Sequence, residues 1–252
     1  CKKKFNEIRK DTVSNLLGIP KNKVKFLPHY ILHHYHAYYS GKNRNVNKTI
    51  IIHQEGDGGR YNSGISIPTN KGIKWISGNN QSDIGRLYQW VTLILGMKPY
   101  HHEYKIMGLA PFSNTYEQAK TYEVFKDIFT INRKKMLIEY SNKPKDLYFS
   151  FKHLLEGHRF DGIAGGLQKY IEDILDDWLN LIVKTTKRNN VCYGGGVAMN
   201  VKANGILAKN SYVKDFFVPL SPGDETNIFG GAYLSTEKFY LKNNLNPNKL
   251  PS

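Results

Sequence analysis

The sequence predicts an α/β protein with a mixed β-sheet and helices packed on its faces. Strand-like runs come first, over residues 49–53, 61–67 and 73–76, and the first run is β-branched up to its histidine. From residue 84 onward helical and strand-like patterns alternate, which is typical of helices that cover a sheet. The 252 residues are 40% hydrophobic and 13% aromatic. That composition is sufficient to bury a core, so a globally disordered chain is excluded.

The other elements are predicted from apolar periodicity and from turn residues. Residues 5–17 carry apolar side chains near helical spacing and end at a Gly-Ile-Pro stop. Residues 24–27 are predicted to form a short strand, and Pro28 introduces a histidine-rich helix. The remaining predicted elements are a polar turn over 42–48, helices over 84–96, 163–184, 198–209 and 227–241, strands over 190–193 and 216–219, a turn over 194–196, and a peripheral helical insertion within 115–152.

Composition excludes several classes of protein. Two cysteines, Cys1 and Cys192, cannot form a disulfide scaffold or a four-sulfur zinc site. The longest apolar run, near residues 90–95, is too short to span a bilayer, and the N-terminus lacks the apolar segment of a signal peptide. We therefore predict a cytoplasmic protein without a membrane partner.

The chain is strongly basic. It has 36 Lys and Arg residues against 21 Asp and Glu residues, a net charge of +15. A positive field attracts phosphate groups of nucleotides or small substrates. The lysines are scattered, however, and no arginine-glycine tract, RNA-binding motif or zinc framework accompanies them. The sequence therefore argues against nucleic acid as the partner.

Four histidines within eight residues form the first candidate site. His29 and His33 are four residues apart, so both imidazoles lie on one face of a helix and can bind one metal ion. His36 is three residues beyond His33 and could share that face. A pair of surface histidines without a metal remains the alternative.

Two glycine-rich turns form the second and third candidate sites. The sequence Glu55-Gly-Asp-Gly-Gly follows a predicted buried strand, where a carboxylate can hold a metal while backbone N–H groups hold phosphate. Its alternative is an ordinary β-turn with solvated acids. The sequence Gly194-Gly195-Gly196, followed by Asn200, lies between a strand and a helix and can approach a nucleotide closely. Its alternative is a tight turn without a ligand.

A fourth candidate precedes the last predicted helix. Asp224 follows Pro222-Gly223 and could serve as a metal ligand, although an N-cap role for Asp224 or Thr226 is the simpler interpretation.

Five blocks, in this order, resemble the O-carbamoyltransferase family, which includes nodulation and cephem-antibiotic carbamoyltransferases. His29–Tyr39 looks like the family's HHLAHAASAYY, and residues 55–59 look like its DGxGD/E turn, with glutamate in place of the first aspartate. Residues 103–111 look like EGKVMGLAP, residues 195–207 look like GGVALNxxANGKL, and residues 223–232 look like the GDxGxxxGAA ending.

The resemblance implies an actin-like, sugar-kinase-like ATPase fold made of two ribonuclease-H-like lobes. On this basis residues 1–48 would complete the first lobe and carry the HxxxH metal helix. Residues 49–242 would form the second lobe, with a helical insertion at about 113–160. Residues 243–252 would be a tail or the start of a linker to a missing C-terminal domain. We therefore expect part of a longer gene product, with a reduced paralogue as the alternative.

The resemblance also implies the site residues and the chemistry. Carbamoyl phosphate and ATP would give a carbamoyl adenylate in a domain of the same gene product, and a hydroxyl of a small-molecule acceptor would attack that intermediate. The metal would be Fe²⁺ or another divalent ion. The candidates for the general base are His36, His53, His101 and His102, and the resemblance does not choose among them. A homodimer is left open. The implied metal ligands are His29, His33, Glu55 and Asp224, and the implied nucleotide-binding residues are Gly58, Gly59, Gly194, Gly195, Gly196 and Asn200.

Two alternatives to O-carbamoyl transfer remain at this point. One is transfer of a threonylcarbamoyl group to tRNA, because that enzyme family shares the HxxxH helix and the glycine turn. The other is a catalytically inactive lobe that binds a nucleotide or a partner, because Glu55 and Gly59 depart from the family's pattern.

Overall fold

A five-stranded mixed sheet forms the centre of the protein in a computed structural model, which describes residues 2–42 and 44–247. The strands are β1 (Thr49–Gln54), β2 (Ser63–Thr69), β3 (Gly72–Asn79), β4 (Phe129–Asn132), β5 (Leu137–Tyr140), β6 (Asn190–Gly194) and β7 (Asp215–Phe217). Their order in the sheet is β3-β2-β1-β6-β7, with β1, β2 and β3 antiparallel and with β6 and β7 parallel to β1. A separate hairpin pairs β4 with β5. The predicted α/β class with a mixed sheet is therefore confirmed.

Helices cover both faces of this sheet. Side chains alternate along a strand, and in β1 the side chains of Ile50 and Ile52 enter the larger hydrophobic core while that of Ile51 enters a smaller cluster on the other face. The helices are α1 (Lys2–Leu17), α2 (His29–Tyr39), α3 (Ile84–Ile94), α4 (Glu103–Leu109), α5 (Thr115–Phe125), α6 (Leu147–Leu154), α7 (Phe160–Thr186), α8 (Val201–Ala208) and α9 (Asn227–Lys242). Helix α7 packs in the larger core, and helices α2 and α9 enclose the smaller cluster.

The short strand predicted over residues 24–27 is wrong. That segment is irregular chain between a 3₁₀ turn, Lys21–Lys23, and the start of α2 at His29. An apolar run forms a strand only if a neighbouring strand accepts its ladder of hydrogen bonds, and the sheet ends at β3 on one side and β7 on the other.

The segment predicted as a peripheral helical insertion contains the β4–β5 hairpin between helices α5 and α6. Its apolar side chains are not peripheral, because Phe125, Ile138 and Phe151 are fully buried in the larger core. Helix α5 also lies tight against α7, where a Cβ added at Gly166 would be 2.7 Å from the backbone nitrogen of Tyr122. The two strands of the hairpin are four residues each, too short to show a clear alternation in the sequence.

Helix α6 offers a matched test of this packing. We expect Phe151→Ala to lower the free energy of unfolding by about 3–5 kcal/mol, because it removes a large side chain from the core and leaves a cavity. Phe149→Ala on the same helix, where the phenyl group is 67% exposed, should cost about 0.5 kcal/mol or less. Urea unfolding of both variants measures this difference. Equal losses would contradict the integration of the segment into the core.

The predicted domain division at residue 48 stays a prediction, and the packing adds one fact to it. Helix α2 shares its hydrophobic cluster with Ile51 and Cys192 of the sheet and Leu234 of α9. In the described structure, α2 is therefore part of the same packed unit as the sheet. The end of the predicted tail, residues 248–252, lies outside the described residues. None of the helices in the described part of the chain is long and apolar enough to cross a membrane.

Candidate metal and nucleotide site

The candidate site lies where the neighbouring parallel strands β1 and β6 end. His53 of β1 pairs with Gly194 of β6, so Glu55 and Gly195 emerge side by side at the carboxyl edge of the sheet. This edge is where open α/β sheets form ligand crevices. The topology therefore brings two of the sequence motifs together.

Four predicted metal-ligating side chains meet at this edge. Their nitrogen and oxygen atoms all lie within 4.8 Å of one another. Nε2 of His29 is 3.0 Å from Oε2 of Glu55 and 3.1 Å from Oδ1 of Asp224. Nε2 of His33 is 2.5 Å from Oε1 of Glu55 and 3.3 Å from Oδ1 of Asp224. Two imidazoles and two carboxylates thus converge on one point.

The cluster is buried on one side and open on the other. The side chains of His33 and Glu55 are only 1% and 4% exposed, whereas that of Asp224 is 68% exposed. Hydrogen bonds to Asp224 and Glu55 raise the pKa of His29 to about 10. Burial raises the pKa of Glu55, but hydrogen bonds from His29 and His33 outweigh it and lower that pKa to about 2. Hydrogen bonds from His29 and His33 also lower the pKa of Asp224. Both carboxylates are thus ionised at neutral pH, as metal ligation requires, whereas His29 has to release its proton when a metal binds.

Gly194 and Gly195 allow the parts of this cluster to approach each other. A Cβ added at Gly194 would lie 3.0 Å from the carbonyl oxygen of His33, and one added at Gly195 would lie 2.5 Å from that of Gln54. Gly195 has φ = +88°, a region that favours glycine. Its N–H also donates to the carbonyl of Pro222 at 3.0 Å, which holds the segment that carries Asp224.

A cavity of about 350 Å³ lies at the same edge of the sheet, where it is lined by Gly56 and Gly196, the residues that follow Glu55 and Gly195. Of the predicted nucleotide-binding residues, Gly196 and Asn200 line it, while Gly194 and Gly195 pack against α2 and β1 instead. The other lining side chains are mainly aromatic and apolar. They are Ile84, Tyr88, Gln89, Tyr100, His101, Glu103, Tyr104, Met107, Ile171, Val197 and Met199, with Gly56 and Gly85 contributing backbone.

The side chain of Asn200 holds the wall of the cavity together. Its oxygen accepts a hydrogen bond from the backbone N–H of Ala203 at 3.0 Å and so caps helix α8. Its amide group is paired with that of Gln168 on α7 at 2.9 and 3.0 Å, and Gln168 accepts a bond from the Tyr88 hydroxyl at 2.8 Å. Asn200 therefore links α8 to α7 directly and to α3 through Gln168.

The turn that carries Gly58 and Gly59 adjoins the same site. A Cβ at Gly58 would collide with the carbonyl oxygen of Tyr61 and lie 2.9 Å from Oε2 of Glu55, so the turn presses against a cluster residue. Gly59 has φ = +74° and nothing within 4 Å of an added Cβ. Arg86 on α3 fixes the turn through bonds to the Asp57 carboxylate at 2.5 Å and the Gly56 carbonyl at 3.0 Å.

Asn227 and Glu103 are among the site residues that were not predicted from the sequence. The amide nitrogen of Asn227 is 3.5 Å from ring nitrogens of both His29 and His33 and from Oδ1 of Asp224. Glu103 lines the cavity and accepts a hydrogen bond from the N–H of Tyr100 at 2.6 Å. Both lie in the motif blocks that carried the family resemblance. Their membership of those blocks is the feature of the sequence that could have identified them as site residues.

The histidines considered as general bases are dispersed. His101 lines the cavity, and His102 lies beside it and accepts from the N–H of Lys98 at 3.1 Å. His36 is buried and stacks on Phe229. His53 is fully buried and shares a 2.6 Å hydrogen bond with His34. Burial lowers the pKa of His34 to about 3, so that ring is neutral at pH 7.

Comparisons with known proteins bear on the family of this chain. The family described as "Carbamoyltransferase N-terminus" matches residues 2–233. The uncharacterized protein MJ1051 of Methanocaldococcus jannaschii is 26% identical over 212 residues, or 82% of this chain and 40% of that protein. Nodulation protein NolNO of Sinorhizobium fredii is 23% identical over 225 residues, or 87% of this chain and 32% of that protein. The chain thus spans well under half the length of either relative.

Among solved structures, full-length HypF in its phosphate- and nucleotide-bound form is similar with a TM-score of 0.45 and 14% identity, covering 86% of this chain and 36% of that chain. The family match extends over nearly all of the residues and confirms the resemblance predicted from five motifs. This chain belongs to the carbamoyltransferase N-terminus family.

Proposed function

We propose that the gene product carrying this chain transfers a carbamoyl group from carbamoyl phosphate, through an ATP-derived carbamoyl adenylate, to a hydroxyl of a small-molecule acceptor. The observation that carries the proposal is the cluster of two imidazoles and two carboxylates at the same edge of the sheet as a cavity, which Gly56, the residue after Glu55, lines. Because the chain spans well under half of its curated relatives, the proposal also places adenylate formation in a further domain of the same product.

The donor set fits a divalent transition metal. Two imidazole nitrogens with two carboxylate oxygens suit Fe²⁺, Zn²⁺ and similar ions. His29, His33, Glu55 and Asp224 would hold such an ion, with Fe²⁺ as the proposed occupant. A metal bound there supplies Lewis acidity that stabilises negative charge developing on oxygen. The exposed Asp224 leaves one side of the cluster accessible to a substrate.

The cavity fits a nucleoside. Its aromatic and apolar lining can enclose a base, and the carboxylate of Glu103 can accept hydrogen bonds from hydroxyl groups. Gly196 presents backbone without a side chain, and Asn200 holds the wall that faces the ligand. The backbone N–H groups of the turn at Gly58 and Gly59 are proposed to bind phosphate. Holding the adenylate in place orients its carbamoyl carbon for attack by the acceptor.

The actin-like assignment is part of the same proposal. Three antiparallel strands continued by two parallel strands, with helices on both faces, support a ribonuclease-H-like lobe. A two-lobe ATPase of this kind binds nucleotide and metal between its lobes, and in this chain the cluster and the cavity lie at one edge of the sheet.

Filling the cavity tests its role in nucleotide binding. A Cβ at Gly196 would have open space around it, because the nearest atom within 4 Å is the terminal methyl of Met199 at 3.9 Å. We expect Gly196→Leu to weaken AMP or ATP binding by about tenfold or more, since its side chain would occupy the cavity. Gly205→Leu on α8, where nothing lies within 4 Å, is the matched control and should leave the affinity unchanged. Isothermal titration calorimetry measures both. Equal affinities in the two variants would place the nucleotide elsewhere.

The full reaction is tested on the native gene product, whose intact mass from its source cell first establishes which chain to assay. With ATP, a divalent metal and a panel of hydroxyl compounds, we expect radiolabel from carbamoyl phosphate to appear in a hydroxyl-linked carbamate. The His33→Ala variant should form none. Release of the label without acceptor-linked product, equally in both proteins, would reject carbamoyl transfer.

A further inference from the structure

A buried glutamate on α9 is held by two tyrosines of α2. Glu237 is only 4% exposed. The hydroxyl of Tyr39 donates to its Oε2 at 2.6 Å, and the hydroxyl of Tyr35 donates to its Oε1. A buried carboxylate is costly unless its oxygens are hydrogen-bonded, so these two bonds compensate for much of its desolvation. We call Glu237 together with Tyr35 and Tyr39 the Glu237 lock.

The first residue of β3 closes the third side of the lock. A Cβ added at Gly72 would lie 2.6 Å from Cδ of Glu237, and Gly72 has φ = +96°. The position therefore admits no side chain without moving the carboxylate. The carboxylate is enclosed by α2, α9 and the start of β3, so the Glu237 side chain fits at a single position along the pair of helices.

The two helices joined by the lock both begin at the candidate metal site. His29 is the first residue of α2, and Asn227, the first residue of α9, follows Asp224 by three positions. Near these ends, Gly230 of α9 lies against the backbone of Leu32, where an added Cβ would be 2.9 Å from Cα of Leu32. The contacts advance in the same direction along both helices, from Leu32 with Gly230 to Tyr39 with Glu237, so α2 and α9 run parallel from the cluster to the lock.

The geometry of the cluster depends on this register. A shift of α9 by one residue along α2 would move Asp224 by about 1.5 Å relative to His29 and His33. A displacement of that size is enough to disrupt a ligand set of fixed geometry. Glu237 is ten residues beyond Asn227, or about 15 Å along the helix, and so lies far from the ligand atoms.

We propose that Glu237 is a positioning residue of the metal site, whose bonds to Tyr35 and Tyr39 set the register of α9 on α2 and thereby hold Asp224 in reach of the two histidines. This inference rests on the proposed metal site. It assigns to a buried residue outside the motif blocks a role in the affinity and coordination geometry of the bound ion.

The experiment compares Co²⁺ binding in Glu237→Ala, Glu237→Gln and Leu175→Ala. Leu175 is fully buried on α7 in the other core, so its truncation lowers stability without touching the lock. We expect Glu237→Ala to weaken Co²⁺ binding about tenfold and to shift the visible absorption of the bound ion. Glu237→Gln keeps the shape and one acceptor oxygen, so it should restore part of the affinity. Leu175→Ala should bind Co²⁺ like the parent protein.

A metal-free measurement separates the lock from the metal site. In Glu237→Ala, we expect faster amide hydrogen exchange over residues 221–228 than in Leu175→Ala at matched stability. If the parent protein binds no Co²⁺, the proposed metal site is wrong and the exchange measurement alone decides the role of the lock. Unchanged exchange over 221–228, or equal losses of Co²⁺ affinity in Glu237→Ala and Leu175→Ala, would overturn the positioning role.

Discussion

His33→Ala is expected to abolish metal binding. His33 is the most buried member of the cluster, and its Nε2 atom faces both carboxylates, at 2.5 Å from Glu55 and 3.3 Å from Asp224. Removing it leaves three ligand atoms and a gap on the buried side. We expect the affinity for Fe²⁺ or Co²⁺ to fall by at least about 100-fold, more than the loss of an outer-shell partner produces. Anaerobic titration of the metal-free protein measures this loss.

His36→Ala is the matched control for that variant. His36 is also buried and lies three residues further along α2, but it stacks on Phe229 and is outside the four-residue cluster. It should retain the affinity of the parent protein. The circular dichroism spectra of both variants establish that α2 and the sheet are still formed. Full metal retention in a folded His33→Ala protein would reject the assignment of the site.

Gly195→Ala is expected to damage both the fold and the site. The backbone at Gly195 has φ = +88°, which costs a residue with a side chain about 1–3 kcal/mol. The new methyl group would also lie 2.5 Å from the carbonyl oxygen of Gln54 and 3.0 Å from Cγ of Glu55, which adds about 1–3 kcal/mol of overpacking. Because that strain displaces Glu55, we expect weaker metal binding together with a lower free energy of unfolding.

Gly59→Ala separates the two contributions to this loss. Gly59 has a similar backbone conformation, φ = +74°, but an added Cβ would meet nothing within 4 Å. It should therefore lose about 1–3 kcal/mol from strain alone and bind the metal normally. Chemical denaturation and Co²⁺ titration of the two variants are the measurements. A Gly195→Ala protein no less stable than Gly59→Ala would contradict the close approach of β1 and β6 at this edge.

Local patterns were sufficient for much of the fold and for half of the metal cluster. The β-branched run before His53 predicted β1, and the apolar stripe over 163–184 predicted α7, because a strand and a long helix bury side chains at characteristic intervals. The four-residue interval between His29 and His33 predicted that their rings share a helix face, and their Nε2 atoms lie 3.1 Å apart.

Other features of the site could not be predicted from local patterns. The short hairpin strands in the 115–152 segment carry little periodicity, and their burial comes from contacts with α7 and the larger core. The glycine turn at 194–196 was predicted as one nucleotide-binding unit. The structure divides it, because Gly194 and Gly195 pack against α2 and β1 while Gly196 lines the cavity.

The amino-acid sequence was enough to establish the α/β class, the family and the paired histidines, because each depends on residues that are neighbours along the chain or on motifs in a fixed order. The family resemblance also implied Glu55 and Asp224 as ligands, and the tertiary structure brings Asp224 to His29 across 195 positions. Only the tertiary structure decided that Asn227 joins them and that Glu237 links α9 to α2. These contacts arise from two helices packed parallel on one face of a sheet. The register of α2 and α9 depends on how both helices pack on the sheet, so the sequence of either helix by itself does not determine it.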